Sequence, residues 1–231
     1  MRYHDRRNFL KITALLGAGL GLDGYSRGNS VPPGSAPAAQ SIFKNIHQRR
    51  SVRAFRPDPV PDEHVERILD AARMAPSSGN QQPWKFMVIR NTERLATLKE
   101  ESLEHALNSY KETGMLSREF EKRKKELESH YEDIFKAPVF IVILVDTQSK
   151  YPEYNKHDGP LAAANLMLAA RALGYGTCYF THTINEEITM SVLKIPDRYR
   201  RICITPLGVP KVWSETPPKK VLKDFIIEEK F

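Results

Sequence analysis

The sequence predicts a three-layer domain of the α/β or α+β kind, with helices covering both faces of a central sheet. Three observations predict it. "PVFIVILVD" (138–146) is an almost unbroken apolar run, as expected of a strand buried on both faces. Strand-like runs alternate along the chain with segments of helical period. No tight hairpin turn joins any two of the strands.

The first 38 residues read as a targeting segment and linker, and residues 39–231 as the folded domain. Arg2, Arg6, Arg7 and Lys11 make a positive start, and Ile12 to Leu22 is apolar but broken by glycines. That run is shorter than the roughly 20 apolar residues of a membrane-spanning helix. Small residues at Ala36-Pro37-Ala38 suit cleavage. The segment resembles a bacterial twin-arginine export signal, carried by Arg6, Arg7, Phe9, Leu10 and Lys11. Export to the periplasm or another extracytoplasmic space follows, with membrane contact only in transit. If the signal is not used, the chain stays cytoplasmic. "GAGLGLDG" mimics a dinucleotide-binding loop, but Leu22 stands at the third glycine and no strand precedes it.

In the domain, Ser41 to Gln48 reads as a short helix. Asp62 to Met74 is a stronger one, with Val65, Ile68, Leu69 and Ala72 on one face. "APSSGNQQP" is a loop and Trp84 to Arg90 a strand. Thr92 to Lys136 is charged and helical in period, broken near Gly114. It reads as a solvated helix pair or a mobile cover. Leu161 to Leu173 is a buried helix that Gly174 ends. Tyr175 to Thr183 reads as a strand, Glu186 to Leu193 as a helix and Arg201 to Val209 as a strand.

Charge and cysteine exclude several chemistries. Beyond the leader, 30 Lys and Arg against 26 Asp and Glu leave +4. That excess is weak support for nucleic-acid binding, and interleaved exposed aromatics and a recognition motif are lacking. The two cysteines, Cys178 and Cys203, lie in apolar runs and in no metal spacing. Two buried thiols are expected, and a disulfide stays open. No Ser–His–Asp order or metal cluster suggests a protein nucleophile or a metal site.

The strongest chemical signal is "RRSVRAF" (49–55). Arginine binds phosphate through two parallel donors, and Ser51 adds a neutral one. An extended backbone would set Arg49, Ser51 and Arg53 on one side, although a solvated basic turn would read the same. About 25 residues later, "APSSGNQQPW" places Pro76, Ser77, Ser78, Asn80 and Gln82 on a loop before a strand. Amide side chains offer both donor and acceptor, which suits the edge of a heterocycle.

These two motifs, with "APVFIVILVD", "AAANLMLAARALGYGTC" and "PLGVPK" in order, resemble the FMN-dependent nitroreductase family over roughly residues 42–226. The resemblance implies an α+β fold with a mixed, mostly antiparallel sheet between helical layers. It also implies a homodimer with two FMN sites at its interface. Arg49, Arg50 and Ser51 match positions that hold the phosphate and ribityl chain. Arg53 matches a cation near N1 and the C2 carbonyl, where it stabilises negative charge on the reduced ring. Pro76, Ser77, Ser78, Asn80 and Gln82 match the loop at the isoalloxazine. Thr181 and His182 match a segment whose backbone approaches N5, and Lys219 and Lys220 a basic pair at the phosphate.

The implied activity is ping-pong, two-electron reduction of a small aromatic acceptor such as a nitroaromatic, quinone or halogenated phenol. The chemistry sits on the flavin and no side chain is catalytic. The donor would be NAD(P)H or, after export, a periplasmic or membrane redox partner. "YFTHT" replaces the P-x-E-G segment of typical nitroreductases and is closer to the deiodinases. Glu104, Tyr110 and Lys122 lie where deiodinases hold their substrate clamp, but their spacing does not match. The rival reading is an exported flavin or anion carrier without redox turnover.

Overall fold

A computed structural model describes residues 37–229. The export-signal reading rests on residues that lie outside this range, apart from the end of the linker. The chain divides after Gln40, and the account below concerns the unit that begins at Ser41.

Four strands form one sheet in the order β1-β2-β4-β3: β1 (Trp84–Ile89), β2 (Val139–Asp146), β3 (Gly176–Thr177) and β4 (Tyr199–Gly208). Every strand pair is antiparallel, and one isolated bridge, Ser51 to Thr177, is parallel. The sheet is therefore mixed and mostly antiparallel, as the resemblance implied. β2 lies at its centre, and seven of its eight residues are buried. Val139, Ile141 and Ile143 face one layer, while Phe140, Val142 and Leu144 face the other. Burying each such side chain contributes roughly 1.5–3 kcal/mol.

The first layer is α2 (Asp62–Arg73) and α5 (Asn155–Ala172), packed through Val65, Ile68, Ala163, Leu166 and Ala170. The second is α3 (Thr92–Glu112), α4 (Ser117–Phe135) and α6 (Glu186–Val192), packed through Leu95, Leu98, Ile134 and Ile188. A further helix, α1 (Pro37–Gln48), leads into the basic segment. The break expected near Gly114 separates α3 from α4. Gly174, at φ +84°, ends α5 as expected.

Two elements differ from expectation. β3 pairs over two residues only, although Phe180 exchanges backbone bonds with Ile204 in the same register. That register sets Cys178 opposite Pro206, which has no N–H to donate. Its carbonyl accepts from Thr205 Oγ1 at 3.1 Å, and that same oxygen accepts from the Cys178 N–H at 3.3 Å. The ladder is therefore interrupted at Cys178 and resumes at Phe180, after which the chain turns away. α5 begins six residues before Leu161 and runs through Pro160. The proline forfeits one helical bond. The added turn is anchored from outside the helix, where Asn155 Nδ2 donates to the Asp146 carbonyl at 2.8 Å.

Cys178 and Cys203 are buried free thiols on opposite faces of the sheet, so they do not pair. Burial pushes both thiols up from their ordinary range. Neither carries the thiolate that reacts.

Candidate functional site

The basic segment is placed by two buried side chains, Val52 and Phe55. The Val52 N–H donates to Thr177 O at 2.9 Å and the Phe55 N–H to Asp133 O at 3.1 Å. With Val52 inward, Ser51 and Arg53 are exposed on the opposite side. Arg49 is still tied to α1, its N–H donating to Asn45 O at 2.9 Å. Even so, Arg49, Arg50, Ser51 and Arg53 line one cavity of about 610 Å³ together with Lys219. Lys220 does not line it. Three arginines and a lysine therefore converge from segments far apart in sequence, outnumbering the one carboxylate on the lining, Glu215.

Arg50 shows what this cavity lacks. Its Nη1 donates to the carbonyls of His47 and Arg49, each at 2.7 Å. Its Nε is buried and has no partner among the described residues. A buried unpaired donor is costly, and on a charged group that faces a cavity the fitting partner is an anion. Arg53 also reaches a neighbouring cavity of about 340 Å³, beside His130 and Asp133.

The second predicted element, residues 76–82, is a loop with a single 3₁₀ turn at Ser78–Asn80. Gly79, Asn80 and Gln82 take left-handed φ of 57°, 53° and 47°. A Cβ at Gly79 would meet the Tyr151 ring at 2.5 Å, so only glycine fits there. Buried Asp158, at the start of α5, fixes this loop. Its Oδ1 accepts from the N–H and the hydroxyl of Ser78, both at 3.1 Å, and its Oδ2 from Gln81 Nε2 at 2.7 Å. Ser77 Oγ accepts from the Gln82 N–H at 3.0 Å. Asn80 and Gln82 stay exposed, with Gln82 Nε2 donating to Asn80 Oδ1 at 3.2 Å. Ser78 thus anchors the loop through its side chain, while Asn80 and Gln82 present amides outward.

The third element, residues 181–184, is a turn and not the end of a strand. Its carbonyls point inward. Arg201 Nη2 donates to Thr181 O at 2.9 Å and Nη1 to Ile184 O at 2.7 Å. The Tyr131 hydroxyl donates to Thr183 O. Burial pushes that hydroxyl up to about 12, so it remains a donor near neutrality. Thr181 and His182 are exposed, and their N–H groups donate to nothing among the described residues. Sequence reading missed Asp158, Gln81, Tyr131 and Arg201. The available signals were an acid opening an Ala- and Leu-rich helix and an arginine inside an apolar strand.

Among the described residues, the loop and the basic segment sit towards opposite ends of α5. The loop docks on the start of α5, at Asp158. The basic segment adjoins its end, where Arg171 Nη2 donates to Gln48 Oε1 at 3.0 Å. Thirteen residues of helix separate Asp158 from Arg171, about 20 Å at 1.5 Å per residue.

The sequence profile of the nitroreductase family matches residues 46–209, which takes in the basic segment, the loop, the turn and the whole sheet. The chain belongs to the nitroreductase family. A relative from Archaeoglobus fulgidus, named for NADH dehydrogenase and NAD(P)H nitroreductase activity, is 31% identical over 177 residues. That alignment spans 74% of this chain and 87% of the relative. Among solved structures, a nitroreductase from Desulfovibrio desulfuricans in complex with FMN aligns at TM-score 0.64 and 26% identity. It covers 82% of this chain and 97% of that one. An iodotyrosine deiodinase bound to FMN and 3-iodo-L-tyrosine aligns at TM-score 0.67 over 82% of this chain and 99% of that one. At 20% identity it shares the fold. Among the described residues, no group of three or more His, Cys, Asp or Glu side chains is placed to hold a metal ion. No described helix is long and apolar enough to cross a membrane.

Proposed function

We propose that this nitroreductase-family chain is an FMN-dependent oxidoreductase that reduces a small aromatic acceptor by two electrons in a ping-pong cycle. The observation that carries the reading is the cationic cavity with its unpaired buried Arg50 Nε. The residues fit FMN: Arg49, Arg50 and Lys219 suit its phosphate, and Ser51 is a neutral donor beside them. Asn80 and Gln82 suit the polar edge of the ring. The outward N–H groups of Thr181 and His182 are the donors this chain offers at the reacting face, and Arg53 supplies a cation for charge that develops on the ring. When bound, FMN accepts and passes on the electron pair, while the protein supplies orientation and electrostatics.

The working unit is read as a homodimer. A second copy related by a two-fold axis, with its α5 antiparallel to the first, would set one chain's loop beside the other's arginines. Support comes from the outward face of α5, where Leu161 is exposed and Ala164 and Leu168 are half-buried. Exposed Ile42, Phe43, Leu222 and Phe225 extend the apolar area. The donor is NAD(P)H, as the relatives' names suggest, or a redox partner outside the cytoplasm. Absorption of the purified chain tests the core reading. A yellow dimer whose flavin bleaches with a donor and recovers with an acceptor is expected. A colourless chain that cannot be loaded with FMN would overturn it.

Export is a separate part of the reading, supported by the order of charge, apolar run and small residues in 1–38. Loading FMN before transit would explain a route for folded cargo. Replacing Arg6 and Arg7 by lysine should move the chain from the periplasmic fraction to the cytoplasmic one. Equal distribution of variant and parent would refute export by this signal.

A further inference from the structure

We propose that Arg201 is a positioning residue for the Thr181–Ile184 turn, and that its buried charge sets the field at the outward amides of that turn. The second half rests on the FMN reading above.

Arg201 lies on β4 and is 5% exposed. Its strand neighbours Ile202, Cys203 and Ile204 are apolar, and an apolar side chain at this position would satisfy packing alone. Its guanidinium reaches out of the strand to three acceptors: Thr181 O at 2.9 Å, Ile184 O at 2.7 Å and Thr189 Oγ1 at 3.2 Å. The first two bracket the turn, and the third lies on α6, which follows it. Tyr131 holds the carbonyl between them. Three of the four carbonyls of the turn are therefore drawn into the protein by two buried side chains. Because a trans peptide sets each carbonyl against the next residue's N–H, the Thr181 carbonyl held by Arg201 turns the His182 N–H outward, while the Phe180 carbonyl, bonded to Ile204, orients that of Thr181.

The charge makes no ion pair, although the Glu186 carboxylate at the start of α6 acts on it from farther away. No carboxylate among the described residues lies within ion-pair distance of Arg201. Its Nε is buried and has no partner among them. Burial pulls its pKa below the ordinary arginine range, yet a guanidinium in a protein stays protonated. An unpaired buried cation is costly to keep. Here it sits one peptide's thickness behind donors that face outward, in surroundings that screen it poorly. A group that gains negative charge above the turn is stabilised twice, by the amides and by the cation behind them. Pro206 contributes to this geometry. It interrupts the β3 ladder at Cys178, and pairing resumes at Phe180 before the chain turns over Arg201.

Arg201→Met, Arg201→Lys and Thr189→Val, made in the full chain, test both halves. The first readout is amide hydrogen exchange at the hydrogen-bonded amides that flank the turn, Phe180 and Ile188. The second is the midpoint potential of bound FMN, titrated against a reference dye. Arg201→Met is expected to raise exchange at these flanking amides about tenfold or more. It should also shift the two-electron equilibrium about tenfold towards oxidised flavin, about 30 mV. Arg201→Lys keeps the charge and loses the bracketing geometry, so its potential stays near the parent's while exchange rises. Thr189→Val removes one acceptor and raises exchange less. If Arg201→Met does not fold, Arg201→Gln removes the charge in its place and is compared with the lysine and valine variants in the same way.

Unchanged exchange in the variants would overturn the positioning role. A lysine variant whose potential falls as far as the methionine variant's would overturn the electrostatic role. A parent chain that takes no FMN overturns the electrostatic half together with the flavin reading, and the exchange comparison still decides the positioning half.

Discussion

Replacing Arg49 and Arg50 together by glutamine is expected to weaken FMN binding by about a thousandfold while leaving the flavin-free fold nearly as stable as before. Each hydrogen bond to a charged group is worth roughly 1.5–3 kcal/mol, so losing two such partners gives a factor of this order. The fold should not suffer equally. Among the described residues neither arginine pairs with a carboxylate, and Arg50 keeps a buried donor without a partner there. Glutamine removes that liability along with the two short bonds Arg50 makes to nearby carbonyls. Fluorescence titration of FMN and thermal melts of the flavin-free chain separate the two effects. Arg53→Gln should behave differently, lowering the flavin's potential with a smaller loss of affinity, because Arg53 is read at the ring and not at the phosphate. Loss of fewer than about ten-fold in affinity for the double variant would remove the phosphate assignment.

How far the site could be read from sequence follows from how local each signal is. "PVFIVILVD" announces a buried strand because each residue carries its own evidence, and β2 occupies nearly those residues. "RRSVRAF" and "APSSGNQQPW" announce polar chemistry for the same reason. What the sequence did not disclose is held by partners far away in the chain. Asp158 lies 80 residues from Ser78 and 77 from Gln81, so nothing near the loop marks the acid that fixes it. Arg201 binds carbonyls, which every residue has, so its partners leave no mark in the side-chain pattern. The early start of α5 was hidden by Gly159-Pro160, which reads as a break until the anchoring of Asn155 is known. The interruption of β3 depended on the register, which sets Pro206 opposite Cys178.

Asp158→Asn is expected to cost about 2–3 kcal/mol of stability, seen as a fall in Tm of roughly 5–10 °C, although the substitution is nearly isosteric. The reason is donor arithmetic. The carboxylate takes three donors, two on Oδ1 from Ser78 and one on Oδ2 from Gln81. Asparagine keeps an acceptor for Ser78 but turns an N–H towards Gln81 Nε2, so two donors face each other. Gln81 cannot rotate to relieve this without cost. Its Nε2 also donates to Tyr151 O at 3.0 Å and its Oε1 accepts from the Tyr151 N–H at 2.7 Å. Asp158→Ala should be worse, since all three donors lose their acceptor. Both variants should weaken FMN binding, by about tenfold for asparagine, because the loop bearing Asn80 and Gln82 must then be ordered at the moment of binding. An Asp158→Asn chain with parental Tm and affinity would show that Asp158 does not hold the loop. The alanine variant also tests whether the site is shared between two copies. In a mixed dimer, one chain carries Arg49→Gln and Arg50→Gln and the other carries Asp158→Ala. If each site takes arginines from one chain and the loop from the other, one site is intact and its companion loses both halves. Such a dimer should bind a single FMN with parental affinity. If each chain builds its own site, both sites are damaged and no tight binding survives.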